Sequence, residues 1–507
     1  MKHLIKAVAA VAVITFVSAG EVGAREFAHP GLSYSEADIV RMRKAVEEKQ
    51  EPMLSTFNAL KASIWSQTNL GPQSPVDTIH EGKFNNTVGA DGRRVHDLAL
   101  LYRITGDSGY ADQAVAILNR YNGLTCCSSR GTAPLDNGKV YLMLEGAELL
   151  RDYPGWAEAD RRAFADMLVH PGYSDSTFPE SAYDGYDDSK NGVTFYWNIY
   201  NFDTGRWGNQ GLFAARALMA MGIFLDNEKM YDRALRYLLS KPARTDDIPY
   251  SKKYPSRGTM RSETEFVQDY NVSWSEGREQ YISDEALEYY IYANGQSQES
   301  CRDQGHAFVG IGLYTDLAEM AANQGDDLYG ALDNRILKGL EYICRYNLGS
   351  GDPEGYSTNE ADCTFDNNIF YRATSRSKRW TALSPASGDR GNIGAVRFLT
   401  QALNHYKGIE DLAKSEYQWL QKAWDEHVDN FEDWGTVAHY YEWKGWGTLT
   451  KMPLLPASGL TDAGNFCDKA DASVVYYNLQ GVKIADADSA GGFLIESKGG
   501  SARIILK

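Results

Sequence analysis

A mainly α-helical chain built of serial hairpins and ending in a short β-type tail is the fold class this sequence predicts. Three observations carry that reading. Apolar residues recur at helical spacing over most of residues 35–451. Turns of Gly, Asn, Asp or Pro cut those stripes into pieces of similar size. After about Pro456 the composition changes to short β-branched and aromatic runs.

The helical stripes can be followed in order. Ile39, Met42 and Val46 repeat after Ser35, a candidate N-cap. Val95, Leu98, Leu101 and Ile104 form the next stripe, then Tyr110, Ala114, Ile117 and Leu118. Val140, Leu144 and Ala147 continue the series until Pro154 and Gly155 stop it. Later stripes run through Leu212 to Leu225, Met230 to Leu239, Ala307 to Ala322, Leu328 to Tyr346 and Ile393 to Tyr406. Thr105-Gly106-Asp107 and Leu225-Asp226-Asn227 are turns of the kind that join paired helices. Such hairpins must stack their apolar faces on one another. Closed on themselves they make an (α/α)n toroid; left open they make a solenoid, and periodicity allows both.

The remaining segments divide the chain. Lys2 and Lys6 precede the apolar run Ala7 to Ala19, and Val22-Gly23-Ala24 supplies small residues for cleavage. Residues 1–24 therefore read as a signal peptide, and the protein as exported, either periplasmic or secreted to the cell surface. The helical domain is expected over 25–455, and a linker with a small β appendage over 456–507. Long polar and aromatic loops are expected at 174–211, 246–284 and 356–391, where a compact helical domain places its cleft.

Charge narrows the function. Net charge is −17, which disfavours nucleic acid as a partner. With 32 Tyr and 11 Trp, aromatic rings are plentiful enough to line a sugar cleft as well as a core. No CxxC pair, HExxH helix or acidic calcium loop is present, so neither a metal site nor a cofactor is expected. The six cysteines are too few for a disulfide scaffold, and adjacent Cys126 and Cys127 would pair only under strain.

Two segments place amides, a charge and an aromatic ring at the mouth of an apolar helix. One is Arg206-Trp207-Gly208-Asn209-Gln210-Gly211; the other runs from Asn294 to His306. A helix N-terminus offers free N–H groups and a positive dipole end, which suits a carboxylate. Trp207 to Asp226, Asn294 to His306 and Asn323 to Leu348 resemble the alginate-lyase-like superfamily of α/α-toroid polysaccharide lyases, nearest to polysaccharide lyase family 38. The likeness covers roughly His29 to Lys451. It implies a toroid, incomplete or closed. It also implies β-elimination on a uronate glycan, either alginate (polymannuronate) or glucuronan.

Elimination next to a uronate carboxylate needs a group to neutralise that carboxylate, a base for the C5 proton and an acid for the O4 oxygen. Asn209 and Gln210 are the candidate carboxylate grip. Related lyases often carry Asn-His there, so the Gln moves the search for a base elsewhere. His306 is the candidate base or neutraliser, Tyr292 the candidate acid, and Arg302 the group that holds a carboxylate or activates Tyr292. Glu299, Gln298, Gln304, Asn294, Arg206 and Trp207 are the candidate substrate contacts. Each has a structural alternative: His306 and Asn209 as helix caps, Tyr292 as core beside Tyr289 and Tyr290, Arg302 as the ion-pair partner of Asp303. The Arg-Pro-x-Trp-Glu type segment expected in relatives is not found. Two other functions compete. One is a glycoside hydrolase on a similar toroid, with Glu299 and Asp303 in its carboxylate set. The other is a glycan-binding protein without catalysis. His96, with Arg93 and Arg94, reads either as cleft lining or as a solvated helix face, with the solvated face favoured.

Overall fold

The computed structural model describes residues 25–80, 83–127, 133–169, 195, 199–200, 209–247, 286–300, 303–348, 383, 398–409, 411–427, 443–454 and four strands within 475–506. The expected signal peptide, Arg206, Trp207, Arg302 and most of the three long loops lie outside the described residues.

The helices pair in sequence order. Glu36–Glu47 (α1) is followed by Met53–Ala62 (α2), and Ala90–Thr105 (α3) by Ser108–Asn119 (α4). The short Ala133–Asn137 (α5) leads into Tyr141–Leu149 (α6) and Glu158–Leu168 (α7). Gln210–Phe224 (α8) pairs with Glu228–Leu238 (α9). After the single turn Leu287–Tyr290 (α10) come Gln304–Asn323 (α11) and Ala331–Asn347 (α12), then Leu399–Lys407 (α13) and Gln418–His427 (α14), and last Gly447–Lys451 (α15).

The turns expected from sequence form for local reasons. Gly106 ends α3 in the left-handed region, at φ 75°, and the Asp107 side chain accepts from Gly109 N at 2.9 Å to start α4. Between α8 and α9, Asp226 takes φ 54° and Asn227 caps the next helix by accepting from Met230 N at 3.1 Å. Ser35 caps α1 as expected, in a reciprocal box with Asp38.

Burial separates an inner and an outer layer. Every residue of α6 is buried, as is α8 from Gly211 to Phe224, while α9 buries one face only. A helix apolar all round belongs inside; an amphipathic one covers it. Glycines let the layers approach closely. A Cβ at Gly146 of α6 would stand 2.6 Å from the Val95 carbonyl of α3, and one at Gly222 of α8 would stand 2.6 Å from Tyr231 N of α9.

The inner helices form a closed ring. Helices α3, α6, α8 and α11 lie side by side. Gln401 of α13 donates to Thr315 O of α11 at 2.8 Å, extending the series. Then α13 packs on α15, α15 on α1 and α2, and α1 back on α3. The solenoid alternative is thereby excluded, and the chain is an α/α toroid. Buried charge ties the closure. Lys444 pairs with Asp316 of α11, which also takes Arg216 of α8 at 2.6 Å. Lys451 pairs with Glu319 of α11 and donates to Ser33 O at 2.6 Å. Trp446 Nε1 donates to Asp97 of α3 at 3.1 Å, and Arg93 donates to Trp443 O at 3.1 Å.

This network corrects one sequence reading. His96 and Arg93 are not a solvated face; both are fully buried. His96 lies between Tyr34 (2.9 Å) and Asp97 (2.8 Å), so its polar atoms are satisfied inside the ring. Helices α2, α7 and α14 were not read from sequence. Cys126, Cys127 and Cys344 are buried. Cys126 and Cys127 form a two-residue parallel bridge with Thr78 and Ile79.

In the tail, Val475–Asn478, Lys483–Ile484, Phe493–Lys498 and Ser501–Leu506 form a four-stranded antiparallel sheet. Counting the Thr78–Ile79 and Cys126–Cys127 pair as β1 and β2, these are β3 to β6, with strand order β4-β3-β5-β6. Among the described residues no helix is long and apolar enough to cross a membrane.

Two stability predictions arise here. Removing one partner of a buried ion pair leaves the others uncompensated, so Asp316→Ala should cost about 3–5 kcal/mol in urea unfolding. An unchanged midpoint would show that the ring does not depend on this pair. His29 bridges Glu148 (2.6 Å) and Asp226 (2.8 Å). Burial acts to lower its pKa, but the two carboxylates outweigh burial and hold it above the ordinary 6.5. Its contribution should be complete below that ordinary value and disappear as pH rises through the raised one. His29→Gln should flatten this part of a stability-versus-pH curve; an identical curve would contradict the assignment.

Candidate functional site

The two sequence segments singled out for chemistry meet at the N-terminal ends of two neighbouring inner helices, α8 and α11. Asn209 precedes α8 but makes no capping hydrogen bond with its side chain. Its amide instead crosses to α11 and donates from Nδ2 to His306 O at 3.4 Å. The helix-cap alternative for Asn209 is therefore replaced by an inter-helix contact. Gln210, the first residue of α8, is half-buried beside it.

His306 does not cap α11 either. That role belongs to Asp303, whose carboxylate accepts from His306 N at 2.7 Å. The same carboxylate lies 2.7 Å from His306 Nδ1. With Nδ1–H donating to Asp303, the proton-accepting nitrogen is Nε2. Among the described residues Nε2 has no partner, and the ring is 39% exposed, enough to meet a ligand. Sequence reasoning did not find Asp303 as this cap; its expected ion pair with Arg302 falls outside the described residues. The Asp-x-x-His spacing at a helix start is the signal that could have found it, since a cap at i also reaches a side chain at i+3.

The other candidates divide. Tyr290, one of three neighbouring tyrosines, is core: it is fully buried, packs against Tyr314 with centroids 5.7 Å apart, and lies on Gly310 of α11. Tyr292 is half-buried and opens a tight turn, its N–H bonded to Gln296 O at 2.9 Å and its carbonyl accepting from Gly295 N at 2.9 Å. Gly295 has φ 91°, and a Cβ there would stand 2.2 Å from Lys338 O, so the turn is pressed onto α12.

Three expected substrate contacts are corrected. Gln304 is buried, donating to Ser300 O at 3.1 Å and accepting from Asn347 at 2.9 Å. Gln298 is buried, and its amide donates to Tyr289 O at 3.0 Å. Glu299 is wholly enclosed. Side chains so placed brace the segment that carries His306. Asn294 lines a cleft on the outer wall, between α12 and the start of α14. Among the described residues no group of three His, Cys, Asp or Glu is arranged to hold a metal.

The arrangement offers an amide from α8, an oriented imidazole from α11 and the positive N-terminal end of α8. That set can bind a carboxylate and move a proton next to it.

Comparison with known proteins adds a likeness. The family model described as alginate lyase matches residues 67–247, a span that includes Asn209 and Gln210. No match was found among curated proteins. Two similar solved structures are an alginate lyase from Bacteroides ovatus and alginate lyase A1-III from Sphingomonas species A1. The first is 13% identical, with 78% of this chain and 95% of that chain covered, at a TM-score of 0.45. The second is also 13% identical, with 82% and 95% covered, again at a TM-score of 0.45.

Proposed function

We propose that this chain, whose residues 67–247 match the alginate lyase family model, is a polysaccharide lyase of the alginate-lyase-like superfamily and cleaves a uronate glycan, polymannuronate-type alginate or glucuronan, by β-elimination. The observation that carries the reading is the contact of Asn209 with His306, which joins an amide and an oriented base from two separate helices.

The chemistry follows from those groups. The Asn209 and Gln210 amides hold the uronate carboxylate and stabilise the enolate that forms when the C5 proton leaves. His306 Nε2 takes that proton, with Asp303 stabilising the resulting imidazolium. The electron pair of the broken C5–H bond forms the C4=C5 double bond and the C4–O4 bond breaks. The leaving oxygen takes a proton from an acid, for which Tyr292 is the candidate. The product is a chain with a C4=C5 unsaturated uronate at its new end. The leader-like residues 1–24 support an exported enzyme that meets its polymer in the periplasm or outside the cell.

One substrate panel tests this. Polymannuronate, glucuronan and mixed alginate are incubated with the protein and ultraviolet absorbance is followed. At least one should give the rise of a conjugated C4=C5 bond. New reducing ends without absorbance would favour a hydrolase; binding without either would favour a glycan-binding protein. His306→Ala and Asn209→Ala should each lower turnover by about 10²-fold or more. Tyr292→Phe should do the same if Tyr292 is the proton donor, and unchanged turnover in that variant removes it from the mechanism.

A further inference from the structure

The outer wall carries a second cleft, of about 380 Å³, along α12 and the N-terminal end of α14. It contains the Trp419 indole, Tyr342, Arg345, Asn294 and Asn334. Trp419 is held in place from behind: Glu341 accepts from the backbone N–H groups of Trp419 (3.1 Å) and Leu420 (2.7 Å). That carboxylate already fills the anion-attracting end of α14, so an incoming anion would have to be bound elsewhere.

The cleft's cations are not alike. Lys338 is paired with Asp333 at 2.5 Å. Glu416, also in the cleft, accepts from Ala413 N at 3.3 Å. Arg345 has no carboxylate partner among the described residues; its guanidinium lies 5.7 Å from the Trp419 ring centroid. A half-buried guanidinium beside an indole, with amides within the same cleft, matches an acidic pyranose. The apolar sugar face can stack on the ring while the carboxylate meets the guanidinium fork. In a protein of net charge −17, an unneutralised arginine in a cleft is a local exception to the surrounding field.

We infer that this cleft is a second, non-catalytic site for an acidic oligosaccharide, with Arg345 binding the uronate carboxylate and Trp419 stacking on the sugar ring. The choice of uronate rests on the function proposed above. The site is positioned to guide a polymer. Leu337 and Arg345 are separated by about 12 Å of helix rise. Beyond Arg345, Asn347 reaches Gln304 at the N-terminal end of α11, the end that carries His306.

The test uses the full chain with His306→Ala, so that ligand is not consumed. Calorimetry with mannuronate and glucuronate tetrasaccharides should show two sites for at least one of them. Adding Arg345→Gln should weaken one site about tenfold or more, as should Trp419→Ala, and raised salt should weaken it too. Arg345→Lys, which keeps the charge and a similar stem, controls for folding and should retain part of the affinity. Carboxyl-reduced tetrasaccharide should not bind there. With His306 intact, Arg345→Gln should lower turnover of long polymer and leave that of the tetrasaccharide unchanged. A single site, or two sites indifferent to Arg345→Gln, overturns the inference, as does equal binding of the carboxyl-reduced sugar. Two sites with the expected losses, in a protein without elimination activity, would refute the proposed reaction and leave this site standing.

Discussion

The ring depends on a short, charged closing segment. Residues 443–451 place Lys444 and Lys451 against Asp316 and Glu319, two acids one turn apart on α11. Helical hairpins have no intrinsic reason to stop stacking, and apolar contact is non-directional. Buried charges are directional, because a misplaced one is left unpaired at a cost of several kcal/mol. Lys444 satisfies Asp316 only when α15 has returned to the start of the series, where Trp446 also finds Asp97. Such pairs add little net stability over apolar residues, but they give the closed arrangement an advantage over the open one. The same closure fixes the neighbouring positions of α8 and α11, since Asp316 binds Arg216 of α8 as well.

That positioning is what makes the candidate site. Asn209 and His306 are 97 residues apart and touch because their helices are adjacent inner staves starting at the same end. The surrounding amides serve rigidity. Gln304, Gln298 and the caps made by Asp303 and Asn294 absorb the backbone polarity of residues 289–306. The imidazole is thus held by a carboxylate on its own helix and needs no rearrangement to present Nε2.

Under the proposed function, an acidic protein acting on an acidic polymer faces a long-range penalty that local groups must offset. At the candidate site the N-terminus of α8, which no side chain caps, does so. On the outer wall the corresponding helix end is closed by Glu341, leaving Arg345 as the source of positive potential. Burial of Glu341 pushes its carboxyl up to about 7, against the two N–H bonds that favour its charge, so this cap sits near its titration point at neutral pH.

By itself the sequence determined the helical class, the stripes that became α1, α3, α4, α6, α8, α9, α11, α12 and α13, the Gly106 and Asn227 turns, and the two segments of chemical interest. These depend on neighbours within a few residues, where period and capping chemistry are local. The tertiary structure decided what depends on distant partners. It closed the ring, buried Arg93 and His96, made Tyr290 core, and turned Gln298, Gln304 and Glu299 from candidate ligand contacts into enclosed supports. An amide side chain has the same chemistry in a cleft as in a core. Only the packing of helices hundreds of residues apart settles which surface it faces.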